Sequence, residues 1–227
     1  MSMKFSGIQK TSLIDFPDRI ATVLFTPGCN LRCPFCHNWR IVLNPQPPFL
    51  NEETALQILR ERKRYVDAVV ITGGEPTIHS ALPEFVRKLK NEGFAVKLDT
   101  NGFFPKNLEQ CLPYLDYVAL DVKTSLEKYP RLGAADTAEL LQTIEMLKKG
   151  KTEYEFRATV VPRFVDEEDI RKIGEIVKGG KRFALQQFIP GDTLDKTFSN
   201  VEPYTAETIA GFGEIMKQYV EEVILRV

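Results

Sequence analysis

Three cysteines fall within eight residues: Cys29, Cys33 and Cys36, in the run Thr26-Pro-Gly-Cys-Asn-Leu-Arg-Cys-Pro-Phe-Cys-His-Asn38. Thiolates are soft ligands, so three at this spacing point to a metal or iron-sulfur centre. Positions i, i+4 and i+7 also share one face of a helix, and free cysteine is a common buried apolar residue, so core packing is the plain alternative. Pro27, Gly28 and Pro34 oppose a continuous helix and favour a loop. Zinc with His37 as a fourth ligand is the competing metal reading. Adjacent Cys36 and His37 would have difficulty reaching two corners of one tetrahedron, and structural zinc prefers ligand pairs two to four residues apart. Cys111, in Leu108-Glu-Gln-Cys-Leu-Pro-Tyr114, could add a fourth thiolate and turn a cluster into an electron-transfer centre. Its isolation among apolar neighbours suits a buried structural thiol instead.

The elements that must position these groups follow from periodicity. Apolar runs rich in Val, Ile and Phe predict strands over 20–26, 68–72, 95–99, 117–121, 155–161 and 183–188. Amphipathic segments predict helices over 51–64, 82–92, 136–149, 166–178 and 205–222, with a short one near Leu108. Asn51 and Thr205 precede acidic first turns as N-caps do, and Gly93 and Gly180 mark stops. Strands alternating with helices imply parallel pairing through right-handed crossovers, with active groups at the carboxyl ends of the strands. The cysteine loop follows the first of these strands and Gly73-Gly-Glu-Pro76 the second. Asp99-Thr-Asn-Gly102 ends the third, Asp121-Val-Lys123 ends the fourth, and Arg157 lies in the fifth. The unusual polar residues are therefore expected on one rim. Each motif taken alone also reads as an ordinary glycine or Asx turn.

Composition bounds the function class. The chain has 227 residues, a net charge of −1, 43% hydrophobic and 27% charged residues. It has no apolar run long enough to span a bilayer, so no membrane association is expected. Without a clustered Lys/Arg stripe there is no nucleic-acid footprint. Met1 to Phe16 lacks the pattern of a secretory signal, and four cysteines with three bunched make no disulfide framework, so a reducing, cytoplasmic setting is expected. A single domain over 1–227 is expected, with a leader over 1–18, a core over 19–190 and a C-terminal helix and strand over 191–227.

Cys29-x-x-x-Cys33-x-x-Cys36, followed by Gly73-Gly-Glu-Pro76 and Asp99-Thr-Asn-Gly102, resembles the radical S-adenosylmethionine enzymes. The resemblance covers residues 5 to about 190 and implies an α/β fold, a partial (β/α)6 TIM-like barrel of the radical SAM type. It implies that Cys29, Cys33 and Cys36 hold a 4Fe-4S cluster whose fourth iron is open to the cosubstrate. Gly73, Gly74, Glu75 and Pro76 would then cradle the methionine amine of S-adenosylmethionine. Asn38 would touch the cosubstrate and the Phe35 backbone would face adenine, while Asn101, Lys123 and Arg157 would complete its binding. Asp99 and Asp121, with oxygens from Thr100 and Ala119, match positions that hold Na+ or K+ in activases of pyruvate formate-lyase, and hard oxygen ligands suit such an ion. Salt bridging is the alternative for Lys123 and Arg157. His37 is given no role, His79 reads as a surface residue at a helix start, and Trp39 with residues 45–49 reads as a loop over the cluster.

The stretch Gly7-Ile-Gln-Lys-Thr-Ser-Leu-Ile-Asp-Phe-Pro17 is similar to the leader of anaerobic ribonucleoside-triphosphate reductase activating proteins. That resemblance implies a glycyl-radical enzyme activase. Reductive cleavage of S-adenosylmethionine would yield a radical that takes hydrogen from a partner's glycine Cα, with no catalytic residue beyond cluster and cosubstrate. The partner would be anaerobic ribonucleotide reductase and the reductant flavodoxin or ferredoxin. One departure is Gln186-Gln-Phe-Ile-Pro190, where activases of pyruvate formate-lyase carry a histidine. Two alternatives remain: a radical enzyme for another glycyl-radical protein or a small molecule, and a non-catalytic iron-sulfur or zinc module.

Overall fold

The computed structural model describes residues 2–227, and Met1, the first residue of the expected leader, lies outside them. The strands are β1 (Lys4–Phe5), β2 (Gly7–Ser12), β3 (Ala21–Thr26), β4 (Leu50–Asn51), β5 (Ala68–Gly73), β6 (Ala95–Thr100), β7 (Tyr117–Asp121), β8 (Glu153–Val160), β9 (Gly180–Gln187) and β10 (Val220–Arg226). The α-helices are α1 (Trp39–Leu43), α2 (Glu52–Arg62), α3 (Leu82–Asn91), α4 (Pro105–Cys111), α5 (Ala138–Lys149), α6 (Glu167–Val177) and α7 (Ala206–Met216). Contacts gather the chain into two compact units, neither a contiguous stretch of sequence. One takes the chain up to Cys29, 38–100 and 104–118, and the other takes 30–37, 101–103 and 119–227.

In the first unit β3 pairs parallel with β5, Ala21 opposite Ala68, and β5 pairs parallel with β6, Ala68 opposite Ala95. β6 is buried throughout and β5 over its first four residues, as expected of strands covered on both faces. Phe16, Val23, Val70 and Tyr117 pack in one apolar cluster. Helix α3 buries Leu82, Phe85, Val86 and Leu89, the i, i+3, i+4, i+7 stripe of an amphipathic helix. Asn51 caps α2 by accepting from the Thr54 amide at 2.9 Å.

In the second unit β8 pairs parallel with β9, Phe156 opposite Phe183, and β9 pairs parallel with β10. Helix α6 begins with a reciprocal capping box between Asp166 and Asp169 and buries Ile170, Ile173 and Val177.

Two expectations need correction. The helix foreseen over 205–222 ends at Met216, and the C-terminal strand expected after it begins within those bounds, at Val220–Arg226. The Val-Ile-Leu character of that strand is satisfied by pairing with β9, an interaction that helical periodicity cannot register. The leader contributes a strand: Gly7–Ser12 pairs antiparallel with β3, Gly7 opposite Phe25, adding an antiparallel strand to the parallel set. The loop expected from Trp39 opens with a helical turn, α1, whereas residues 45–49 are irregular as foreseen.

Candidate active site

The first unit docks the chain entering the cysteine run onto the turn that follows β5. Gly74 donates its N–H to the Thr26 carbonyl at 2.9 Å, and Glu75 donates to the Gly28 carbonyl at 2.8 Å. The His79 ring Nε2 lies 2.9 Å from the Pro27 carbonyl and, facing an oxygen that only accepts, carries the proton. Asn38 Nδ2 donates to the Gly73 carbonyl at 2.9 Å. Close approach explains both glycines. A Cβ on Gly73, whose φ is +111°, would lie 2.5 Å from the Thr26 nitrogen, and one on Gly74 would lie 1.7 Å from the Gly28 oxygen. No residue with a side chain fits either position.

His79 corrects the surface reading. It is partly buried, burial lowers its pKa, and it holds the backbone two residues before Cys29. Asn107, which no sequence signal marks, braces the same turn by donating to the Thr77 and His79 carbonyls at 2.7 and 2.9 Å.

The Glu75 carboxylate is buried and serves the protein itself. Its Oε1 accepts from the Thr77 amide at 3.0 Å and from the Thr100 hydroxyl at 2.7 Å, joining the turn after β5 to the end of β6. Pro76 starts the short 3-10 turn that this carboxylate caps. Asp99 is buried and paired with Lys97 of the same strand.

In the second unit the rest of the cysteine run is held mainly by its backbone. Cys36 donates to the Cys33 carbonyl at 3.0 Å, Leu194 donates to the Cys36 carbonyl at 3.1 Å, and Asp195 donates to the Pro34 carbonyl at 2.8 Å. Asn101 Nδ2 donates to Asn30 Oδ1 at 2.8 Å. His37 stacks on Phe188, and its Nε2 is 2.9 Å from the Ile189 carbonyl, which gives that ring a structural use. Phe35 packs edge-on against Phe164 and Phe198, with ring centroids 5.2 and 6.3 Å away.

Phe35, Asp121, Lys123 and Arg157 line one narrow cleft with Ala158 and Thr159. Asp121 at the end of β7 accepts from Lys123 Nζ at 2.7 Å and from Arg157 Nε. Burial alone would raise the Asp121 pKa, but Arg157 and Lys123 outweigh it and hold the carboxyl well below the ordinary range. Burial alone would lower Lys123, and Asp121 outweighs it in turn, with a further contribution from Cys33. One carboxylate and two cations leave a net positive charge, suited to an anionic group such as a carboxylate.

The residues fit an iron-sulfur group by donor chemistry. None of Cys29, Cys33 and Cys36 is in a disulfide, and Cys29 and Cys36 are partly exposed. Among the described residues no three His, Cys, Asp or Glu side chains already form a metal cage, so spacing, thiol chemistry and the anchored loop carry the assignment. Cys111 is buried, and burial pushes its pKa up to about 12, which disfavours the thiolate a metal needs. Both aspartates expected to hold a monovalent ion are already paired with lysine or arginine.

The chain belongs to the radical SAM superfamily, whose sequence pattern matches residues 23–176. It is a radical SAM enzyme with the partial (β/α)6 TIM-like barrel of that class. It is 37% identical to a Methanocaldococcus jannaschii protein provisionally named a glycyl-radical enzyme activating enzyme, over 100% of this chain and 97% of the relative. It is 30% identical to the pyruvate formate-lyase-activating enzyme of Clostridium pasteurianum, over 84% of this chain and 83% of the relative. Among solved structures, Escherichia coli QueE superposes with a TM-score of 0.63 at 18% identity, over 100% of this chain and 95% of that one, a likeness of fold.

Proposed function

We propose that this chain is an activase that installs a glycyl radical on a partner enzyme, and that the partner is anaerobic ribonucleoside-triphosphate reductase. The observation that carries the reading is the cleft in which Phe35, from the cysteine run, meets Asp121, Lys123 and Arg157. The names of the two relatives support the activase, and the likeness of residues 7–17 to reductase activators supports the partner.

When bound, the cluster and S-adenosylmethionine supply the electron and the hydrogen-abstracting radical. Cys29, Cys33 and Cys36 would hold the cluster. Lys123 and Arg157, both fixed in place by Asp121, would receive the cosubstrate carboxylate or ribose. The backbone of Gly73 and Gly74, which Asn38 holds, would receive the methionine amine, Asn101 would orient the chain beside Cys29, and the Phe35 backbone would face adenine. Positioning of this kind lowers the barrier by holding the reacting atoms near attack distance. A Na+ or K+ ion at Asp99, Thr100, Ala119 and Asp121 would have to displace Lys97 and the Asp121 partners. Cosubstrate cleavage independent of Na+ and K+ would remove the ion from this scheme. Reducing power comes from flavodoxin or ferredoxin in the cytoplasm.

The test is to mix dithionite-reduced protein, S-adenosylmethionine and the anaerobic reductase. A glycyl radical doublet and 5'-deoxyadenosine in comparable amount are expected, and replacing the target glycine by alanine should remove the doublet. The Clostridium pasteurianum relative favours a second reading, pyruvate formate-lyase as partner. A doublet on that enzyme and not on the reductase would select it, and consumption of a metabolite with no protein radical would overturn the activase.

A further inference from the structure

We infer that Arg32, Arg131 and Arg163 form a docking surface for an acidic electron-transfer protein beside the cysteine run. The inference rests on the activase reading, under which each cleavage needs one electron from outside. All three side chains are exposed. Arg32 lies between Cys29 and Cys33, and its amide donates to the Leu132 carbonyl at 2.7 Å, which seats it next to Arg131. Arg131 Nη1 donates to the Arg163 carbonyl at 3.2 Å.

Aromatic rings hold two of these charges in place. The Arg131 guanidinium lies 4.2 Å from the Phe164 ring centroid and that of Arg163 lies 5.5 Å from Phe198. These are the rings that pack against Phe35. Stacked guanidinium groups lose less freedom on meeting a carboxylate than free ones, and they keep their donors outward. Arg163 adopts φ of +77°, a left-handed conformation uncommon for a residue with a side chain. Neither Arg131 nor Arg163 makes an ion pair among the described residues. Asp195 feels the field of Arg163, but its carboxylate is engaged with the Thr197 amide at 2.9 Å.

Two ring-held cations, with the exposed Arg32 next to them, beside an electron-accepting loop favour steering of an acidic protein. A chain of net charge −1 without a basic stripe gives no footing for nucleic acid. The step is outer-sphere: a donor flavin hydroquinone loses one electron to become the semiquinone, and the cluster is reduced by one, with no bond made or broken.

The experiment compares the Arg131→Gln/Arg163→Gln double variant with Arg131→Lys/Arg163→Lys, using flavodoxin as the probe. Titration of flavodoxin into the apoprotein at low salt should weaken by about tenfold in the glutamine variant and by less than about twofold in the lysine variant. The difference should shrink at about 0.2 M salt. Flavodoxin-driven cosubstrate cleavage should fall in parallel, while dithionite-driven cleavage stays unchanged. Equal losses in both variants, or unchanged flavodoxin binding with altered affinity for the glycyl-radical enzyme, would overturn the inference. If the activase reading fails, the intact protein gives no glycyl radical with dithionite, and flavodoxin binding remains readable.

Discussion

Asn38 Nδ2 donates to the carbonyl of Gly73 at 2.9 Å, tying the residue two places beyond Cys36 to the turn after β5. That turn is built on contact too close for any side chain, because the Gly28 oxygen occupies the place of a Cβ on Gly74. Gly74→Ala should therefore destabilise the apoprotein by ~2–3 kcal/mol and lower iron uptake on reconstitution. Asn38→Ala, losing one hydrogen bond, should cost ~0.5–1.5 kcal/mol. Thermal melting and iron analysis check the order, and an equal effect of the two changes would contradict it.

Cys29→Ala, Cys33→Ala and Cys36→Ala should each abolish the reduced-cluster paramagnetic signal and cosubstrate cleavage. Cys111→Ala should keep both, at a packing cost of ~1 kcal/mol, because that thiol is buried and held protonated. Loss of the signal in well-folded Cys111→Ala would make it the fourth ligand.

Arg157 and Lys123 hold the Asp121 pKa below its ordinary value against the opposing effect of burial. A carboxyl depressed on folding contributes stability that is complete above its unfolded pKa, about 4, and is lost as pH falls below it. Asp121→Asn should remove that acid-sensitive component from the denaturation profile while weakening S-adenosylmethionine binding at neutral pH. An unchanged slope of stability below about pH 4 would deny the pair its part in folding.

His79 has its pKa lowered by burial from 6.5 and donates to the Pro27 carbonyl. Its contribution is therefore present above the unfolded value and lost as pH falls below it. His79→Gln should flatten the fall in stability below about pH 6.5 and retain the donor, whereas His79→Ala should also loosen the chain before Cys29. Faster amide exchange at Gly28 and Glu75 in the alanine variant alone is the expected signature.

Composition and spacing narrowed the chemistry to soft thiolate ligation, because ligand type is a property of residues and CxxxCxxC needs only a loop, and the family resemblance supplied the cluster. They also determined the parallel α/β plan, since buried parallel strands such as 68–72 read as continuous apolar runs whatever their neighbours. Tertiary structure alone decided the rest. Where the last helix ends and the C-terminal strand begins has no local sign, and the pairing of 220–226 with β9 set that boundary. Only the fold shows that Thr77 and Thr100 donate to Glu75 Oε1, and His79 reads as surface until Pro27 is found beside it. The meeting of Phe35 with Asp121, Lys123 and Arg157 joins residues up to 122 positions apart, and only folding can supply such a contact.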